Sequence, residues 1–421
     1  MKVLIFDTSS KMGAIGGAQR VAGNLFYELR KRGISTYYIG YRTDYIKNDW
    51  NAFFISAKSA QRGIKRSFEA NRLGWVLDSI PSRIAYYSFY SLSGLNIENV
   101  EKWLSKVKPD VVLASSIQDY IVLKALKKHL GRAKLIYIEH ANASGSYRSA
   151  FDYNIVGLTF GTGPFVGLEK ARKRFFSFFD GVIALNRTQF MNASKYNRNV
   201  TIIHSSTLID NVKIDQKKLV GFKKRLGIEK DGVVLYLGRL SEAQKNVSTL
   251  ISAFRLLKSR KVKLLIVGEG KSRHLYEKMS LGDDRIMILG RVPEEDLAYY
   301  YSAADLYVLP SLWESFNATS IEAAYFGAGL LLSESSINED IKEEFGSRLY
   351  LFNPLDAKQL RDKIEKFFTD KRLQKMLSSL SKEIADEYNK ERQMDAYAEA
   401  LRSLHESGVL PKPNLRSSAS R

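Results

Sequence analysis

The stretch DLYVLPSLWESFNATSIEAAYFGAGLLLS, residues 305–333, decides the fold class of this chain. Short apolar segments at its two ends, 305–310 and 327–333, are typical of buried strands. Between them, the turn-rich loop 311–316 precedes a helical pattern for which Asn317 is a favourable N-cap. A strand, a helix and a second strand in this order predict two parallel strands joined by a crossover.

The same rhythm of apolar segments and helical patterns runs along most of the chain. In the first half the apolar segments are 2–6, 35–40, 109–115, 133–139, 180–185 and 200–203. In the second half they are 233–238, 262–270, 285–290, 305–311 and 327–333. We therefore predict an α/β chain with two Rossmann-like domains, each a doubly wound parallel sheet covered by helices.

A basic, polar stretch at 211–232 separates the two series, and 421 residues are enough for two domains. We expect an N-terminal domain over 1–210 and a C-terminal domain over 211–388. A charged helix over 389–409 is expected to return toward the first domain. The remaining residues, 410–421, are expected to form a disordered tail.

The amino-acid composition excludes several kinds of functional site. The absence of cysteine excludes disulfides, thiolate zinc sites and a cysteine nucleophile, and it suits a reducing cytoplasm. No stretch approaches the ~20 apolar residues that span a bilayer, so we expect no integral membrane segment. The net charge is +20, of which residues 1–210 carry +15, and this half favours an anionic partner. A nucleic-acid-binding module ranks low, since the sequence has no zinc-finger, RRM or helix-turn-helix pattern.

Charged residues follow the strands of the second series, at the edge where open α/β sheets bind ligands. Arg239 and Lys245 come after the strand 233–238, and together they suit a diphosphate. Glu314 lies in the loop before the predicted helix and Glu322 about one turn inside it. Taken singly, each residue is as readily a solvated side chain, so the functional interpretation depends on their convergence at one edge.

Two further features lie where predicted strands end and helices begin. The free N–H groups of Ala318 and Thr319 make the start of the helix an anion site, and a carboxylate at Glu322 can accept hydrogen bonds from vicinal hydroxyls. The loop after the first strand holds Gly16 and Gly17. Its glycine spacing does not fit G-x-G-x-x-G, so it is either a tight turn or a backbone site for an anion or a sugar.

These motifs, in this order, resemble those of a known family. The glycine pair, GRL…KN at 238–246, VGEG at 267–270, LGRVP at 289–293 and the Glu-x7-Glu block look like the retaining nucleotide-sugar glycosyltransferases of the GT-B fold, family four. The resemblance covers about residues 1–390 and implies two Rossmann-like domains facing a central cleft. Three departures are one residue more than the family's usual pattern between Arg239 and Lys245, ESFN at 314–317, where the family often has E-G-F-G, and HSSTLID at 204–210, where it has an Asn-Gly turn.

The resemblance implies a role for each matching residue. Arg239 and Lys245 would neutralise the donor diphosphate and the leaving group, Glu322 would hold the ribose, and Glu314 would contact donor-sugar hydroxyls near the reacting carbon. The other implied contacts are the backbone of Arg291 and Val292 for the base, Asn317, Ala318 and Thr319 for the diphosphate, Gly16 and Gly17 for the diphosphate or the acceptor, and His140 beside the donor sugar.

The implied reaction moves a sugar, with retention, from a nucleotide-diphosphate sugar to a hydroxyl of a saccharide or lipid-linked saccharide. A UDP-sugar is the first choice of donor, and cell-surface polysaccharide or glycoconjugate synthesis is the expected setting. We expect no cofactor and no divalent metal, since Arg239, Lys245 and the helix end can stabilise the developing charge. The alternatives are a protein O-glycosyltransferase, a nucleotide-sugar 2-epimerase and a non-catalytic partner subunit.

The expected location is the cytoplasm, with peripheral attachment to the inner face of the plasma membrane as an extension. The segment 58–95, where Arg and Lys are interleaved with aromatic residues, would suit a surface that rests on anionic lipid. The same segment fits a pair of ordinary helices with solvated charges equally well. The sequence leaves the acceptor and the oligomeric state open.

Overall fold

The computed structural model describes residues 1–7, 17–40, 46, 49–54, 97–140, 168–207, 209, 212–314, 316–335 and 339–413. The chain divides into two compact units. The first unit contains Met1–Ile203 and Met394–Arg421, and the second contains His204–Gln393. Gly16, the segment 58–95 and the end of the predicted tail lie outside the described residues.

The described strands of the first unit form one sheet in which every neighbouring pair is parallel. They are β1 (Lys2–Asp7), β2 (Ser35–Gly40), β3 (Ala52–Phe54), β4 (Val111–Ala114), β5 (Lys134–Ile138), β6 (Gly181–Ala184) and β7 (Val200–Ile202). Their spatial order is β3-β2-β1-β4-β5-β6-β7, so the order reverses between β1 and β4.

Five helices are described in the first unit before its C-terminal helix, and two of them begin at capping residues. They are α1 (Gly17–Lys31), α2 (Ile97–Val107), α3 (Ile117–Leu126), α4 (Leu168–Phe176) and α5 (Arg187–Ala193), with a 3-10 turn at Lys127–His129. Ser116 and Asp119 form a capping box at the start of α3. Asn186 caps α5 by accepting from the backbone of Gln189.

The described strands of the second unit also form a parallel sheet. They are β8 (Gly232–Leu237), β9 (Val262–Val267), β10 (Ile286–Gly290), β11 (Leu306–Leu309), β12 (Gly329–Ser333) and β13 (Leu351–Phe352). The spatial order is β10-β9-β8-β11-β12-β13, and the order reverses between β8 and β11. This reversal brings the loops after β8 and β11 side by side.

The helices of the second unit follow the strands in alternation. They are α6 (Gln216–Arg225), α7 (Glu242–Lys245), α8 (Val247–Arg255), α9 (Arg273–Ser280), α10 (Glu294–Ala303), α11 (Ala318–Tyr325), α12 (Glu339–Phe345), α13 (Ala357–Thr369) and α14 (Lys371–Glu387), with a 3-10 turn at Gly346–Arg348. The last helix, α15 (Lys390–Ser407), begins in the second unit and lies mostly in the first. The predicted α/β class with two doubly wound parallel sheets is confirmed.

No helix within the described ranges is long and apolar enough to cross a membrane.

Candidate functional site

The loops after β8 and β11 meet at the reversal point of the second sheet, through Lys245 and Glu314. Lys245 is the last residue of α7, and its Nζ donates to Glu314 Oε1 at 2.5 Å. The two side chains are only 13% and 7% exposed. Because water is largely excluded, their attraction is stronger than that of a pair on an open surface. Crevices at such reversal points are where open α/β sheets bind ligands.

Asn246 fixes the position of this pair. Its backbone is left-handed, with φ of 49°, and it separates α7 from α8. Its side-chain amide donates to the carbonyl oxygens of Pro310 at 3.2 Å and Pro354 at 2.8 Å. The backbone N–H of Leu312 donates to Gln244 O at 2.8 Å. The loop with Glu314 is thus tied to α7 by the main chain as well as by the ion pair.

The turn after β8 is held by the glycine-rich turn after β9. Leu240 N donates to Glu269 O at 2.9 Å, and Gly268 N donates to Gly290 O at 2.8 Å. Gly268 has φ of 141°, and a Cβ there would lie 1.8 Å from Gly238 O. Only glycine fits this position, because the two turns approach each other backbone to backbone. The VGEG motif therefore shapes the loop that carries Arg239.

Arg239 lies on the exposed side of that loop. Its carbonyl oxygen accepts from the hydroxyl of the buried Tyr236 at 2.9 Å, which fixes the main chain. Its guanidinium makes no hydrogen bond or ion pair with any residue that the structure describes. Arg291 and Val292 follow β10, two strands from β8 in the sheet, with Arg291 exposed and Val292 half-buried. The structure therefore pairs Lys245 with Glu314, and within the described residues the side chain of Arg239 forms no hydrogen bond or ion pair with either of them.

The start of α11 differs from the prediction in one respect. Asn317 occupies the N-cap position, but its side chain makes no capping hydrogen bond. Its backbone, with φ of −92° and ψ of 70°, is outside the extended conformation from which a capping side chain reaches the first-turn amides. Its carbonyl oxygen instead accepts from the hydroxyl of Ser320 at 2.8 Å. Ala318 and Thr319 form the first turn as predicted, and Thr319 Oγ1 accepts from the Tyr307 hydroxyl at 2.7 Å.

Glu322 is fully buried, with no exposed surface. Its Oε2 accepts from the hydroxyl of Tyr301 at 2.7 Å, and the Tyr301 ring stacks on Phe326 with centroids 5.8 Å apart. A buried carboxylate needs such donors, because losing water without replacement costs several kcal/mol. Burial raises the pKa of Tyr307, and nearby Glu314 and Glu322 add to the effect, so that hydroxyl stays a neutral donor.

Tyr301, Tyr307 and Asn246 are parts of the site to which the sequence interpretation gave no role. For Asn246 a signal was present, since asparagine tolerates the left-handed conformation and stands between two helical patterns. For the tyrosines there was none, because their rotation toward the carboxylates depends on helix and strand packing.

The remaining predicted residues belong to the first unit. Gly17 is the first residue of α1, and His140 stands two residues beyond the end of β5. The backbone N–H of His140 donates to Ile138 O at 3.0 Å. Burial of its half-buried ring lowers the pKa of His140 to about 4, so the imidazole is neutral at pH 7. Among the described residues, no group of three or more His, Asp or Glu side chains could hold a metal ion.

Part of the second unit is similar to a known protein family. Residues 221–384 match the model of the glycosyl transferases group 1 family. An uncharacterized glycosyltransferase of Methanocaldococcus jannaschii is 30% identical over 151 residues, which is 34% of this chain and 38% of that protein. The mannosylfructose-phosphate synthase of Agrobacterium fabrum is 33% identical over 172 residues, 38% of this chain and 37% of the synthase. The matches thus span well under half of these two curated relatives.

The fold of the whole chain is similar to that of solved glycosyltransferase structures. Anabaena HepE in complex with UDP superposes with a TM-score of 0.67 at 19% identity, over 96% of this chain and 100% of HepE. At this identity the likeness shows the fold alone. The match over residues 221–384 and the two parallel-sheet domains nevertheless agree: the chain has the GT-B fold, and this part of it is similar to the glycosyl transferases group 1 family.

Proposed function

We propose that this protein is a retaining glycosyltransferase that moves a sugar from a nucleoside diphosphate sugar to a hydroxyl of a saccharide or lipid-linked saccharide. The observation that carries the proposal is the Lys245–Glu314 pair at the reversal point of the second sheet. It lies within residues 221–384, the part that matches the family model. A cation and a carboxylate here supply what a diphosphate sugar needs: positive charge for the phosphates and an acceptor for sugar hydroxyls.

A uridine nucleotide is the proposed donor base. Support comes from Anabaena HepE, which has been solved with UDP and with UDP-glucose. In this chain the backbone of Arg291 and Val292 would receive the base, and Glu322 the ribose hydroxyls. Since Glu322 has no exposed surface and is bonded to Tyr301, the ribose can reach its carboxylate only if neighbouring side chains shift.

The transfer step would break the bond between the anomeric carbon and the diphosphate oxygen, and form a bond from the acceptor oxygen on the same face. Arg239, Lys245 and the first-turn amides of α11 would stabilise the negative charge that develops on the departing diphosphate. That diphosphate would take the proton of the acceptor hydroxyl. No divalent ion is required where these three sources of positive charge act together.

His140 would act as a neutral group. With its pKa lowered to about 4, the imidazole carries no charge at pH 7 and does not oppose the positive charge that develops on the sugar ring. It can exchange hydrogen bonds with a sugar hydroxyl. The excess of positive charge on residues 1–210 supports an anionic acceptor, such as a lipid-linked saccharide at the inner face of the plasma membrane reached from the cytoplasm.

The test is a transfer assay in EDTA. UDP-sugars and GDP-mannose are incubated with saccharide, lipid-linked saccharide and Ser/Thr-rich peptide acceptors, and nucleotide release and the anomeric configuration of the product are measured. We expect acceptor-dependent release of UDP and a retained configuration. Inversion would contradict the mechanism. Conversion of the donor without an acceptor would identify an epimerase, transfer to the peptide a protein O-glycosyltransferase, and binding without turnover a non-catalytic subunit.

A further inference from the structure

The chain passes between its two units twice, after Ile203 and after Gln393. The residues of the second unit that flank these passages are bonded to each other. Gln393 is buried, and its amide nitrogen donates to His204 O at 2.9 Å while its amide oxygen accepts from the Ser206 hydroxyl at 2.7 Å. One side chain therefore joins both crossover segments, which we define as residues 204–207 and 388–393.

Both crossover segments also contact one aromatic ring. Phe316 lies 6.2 Å from the ring of His204 and 5.7 Å from the ring of Tyr388, measured between centroids. His204 and Tyr388 meet edge to face at 5.4 Å. Each ring of this trio touches the other two, so the position of one constrains the positions of both partners.

Phe316 belongs to the site described above. It stands two residues after Glu314 and two residues before Ala318, the first residue of α11. The carboxylate and the helix start that would receive the donor are therefore on either side of a ring held by both crossover segments. If the loop at Glu314 shifts and Phe316 moves with it, the ring either carries His204 and Tyr388 along or loses its contacts with them.

We propose that Phe316 is a positioning residue that couples occupancy of the donor site to the two crossover segments. The proposal rests on the proposed function, since it takes a nucleoside diphosphate as the occupant. Coupling of this kind is reciprocal. A ligand that orders the loop also orders the crossover segments, and a change that loosens those segments lowers the affinity for the ligand by the same factor. The ring packing supplies the physical contact through which this occurs.

The test is hydrogen exchange measured by mass spectrometry on the full chain, with and without UDP, GDP or ADP at saturation. Phe316→Leu truncates the ring. Phe222→Leu is the matched control, because Phe222 is a buried ring of the same unit that packs on Tyr299 and Tyr300. Without ligand, we expect exchange in both crossover segments to be severalfold faster in Phe316→Leu than in wild type, and unchanged in Phe222→Leu.

With ligand, we expect the binding nucleotide to slow exchange in 204–207 and 388–393 of wild type severalfold, and to do so much less in Phe316→Leu. A second variant, Gln393→Ala, should speed exchange over 316–322. Unchanged exchange at both crossover segments in Phe316→Leu overturns the proposal, as does a bound nucleotide that protects them equally in wild type and variant. If no diphosphate binds, the proposed function fails, while the comparison without ligand still decides the coupling.

Discussion

Lys245 Nζ and Glu314 Oε1 lie 2.5 Å apart, so the cation assigned to the donor phosphates is bonded to the carboxylate assigned to the donor sugar. Both belong to the connections that follow β8 and β11, which are fixed by Asn246 and by main-chain hydrogen bonds. A diphosphate that reaches Lys245 therefore meets a cation that is already partly neutralised. This relationship makes the effects of the two side chains on binding opposite in sign.

Glu314→Gln should bind nucleoside diphosphate more tightly and turn over more slowly. The substitution removes a negative charge beside the phosphates, and we expect a gain of about 1 kcal/mol, roughly fivefold in Kd. Turnover should fall because the amide cannot replace the carboxylate at the sugar. Isothermal titration with the nucleotide and a transfer assay measure the two effects. Glu229→Gln, on the exposed surface, is the control, and weaker nucleotide binding by Glu314→Gln would contradict the account.

Tyr301→Phe should weaken discrimination between UDP and 2′-deoxy-UDP. The variant removes a hydroxyl that donates to Glu322 at 2.7 Å, so the carboxylate loses one of the bonds that orient it, and stability should fall by about 1–3 kcal/mol. Tyr276→Phe is a matched control, since its hydroxyl donates to a different carboxylate, Glu242, at 2.8 Å. It should lose stability while keeping the affinity ratio. An unaltered ratio in Tyr301→Phe would remove Glu322 from the ribose site.

Replacing Asn246 by alanine should lower the stability of the fold more than replacing it by glycine. Both variants lose the hydrogen bonds to Pro310 and Pro354, which we expect to cost about 1–3 kcal/mol. Alanine adds strain at φ of 49°, so Asn246→Ala should be less stable than Asn246→Gly by about 1 kcal/mol. Urea denaturation measures the difference. Equal stability of the two variants would show that the left-handed backbone is not held in place.

His140 should make stability depend on pH in acid. Its pKa is lowered from 6.5 to about 4 in the folded chain, so between these values the unfolded chain binds more protons and folding is opposed. Relative to His140→Gln, wild type should lose stability as the pH falls from about 6.5 toward 4, with no change above this window. Melting curves of both proteins at several pH values measure the difference in stability between them. A difference in stability that does not change with pH would mean that folding does not lower the pKa of His140.

The pattern of apolar and helical segments is enough to predict the fold class, but it does not reveal two of the short strands. Apolar β-branched segments alternate with helical patterns, and this alone indicates two parallel sheets. The strands Ala52–Phe54 and Leu351–Phe352 have three and two residues. They are strands because a neighbour pairs with them, as Gly40 does with Phe54 and Ser333 does with Phe352. No local pattern reveals such pairing.

Part of the site could also be read from the sequence. Lys245 and Glu314 each follow a strand, and parallel strands end at one edge, which indicates proximity. Their direct bond could not be predicted, because it depends on the left-handed turn at Asn246. Asn317 occupies the predicted N-cap position, but the loop before α11 enters the helix with a backbone angle from which its side chain makes no capping hydrogen bond, and the sequence does not reveal this angle. One donor to Glu322 is Tyr301, on a helix whose rotation only packing determines.

The most direct test of the central claim, that the Lys245–Glu314 loops hold a nucleoside diphosphate, is isothermal titration of UDP, GDP, ADP and dTDP in EDTA. It compares wild type, Lys245→Ala and the surface control Lys230→Ala. We predict that one nucleotide, UDP first, binds wild type and Lys230→Ala equally, and binds Lys245→Ala roughly 10- to 100-fold more weakly, as expected for a lost charged hydrogen bond. Equal binding by Lys245→Ala, or no binding by a wild type that melts cooperatively, would contradict the account.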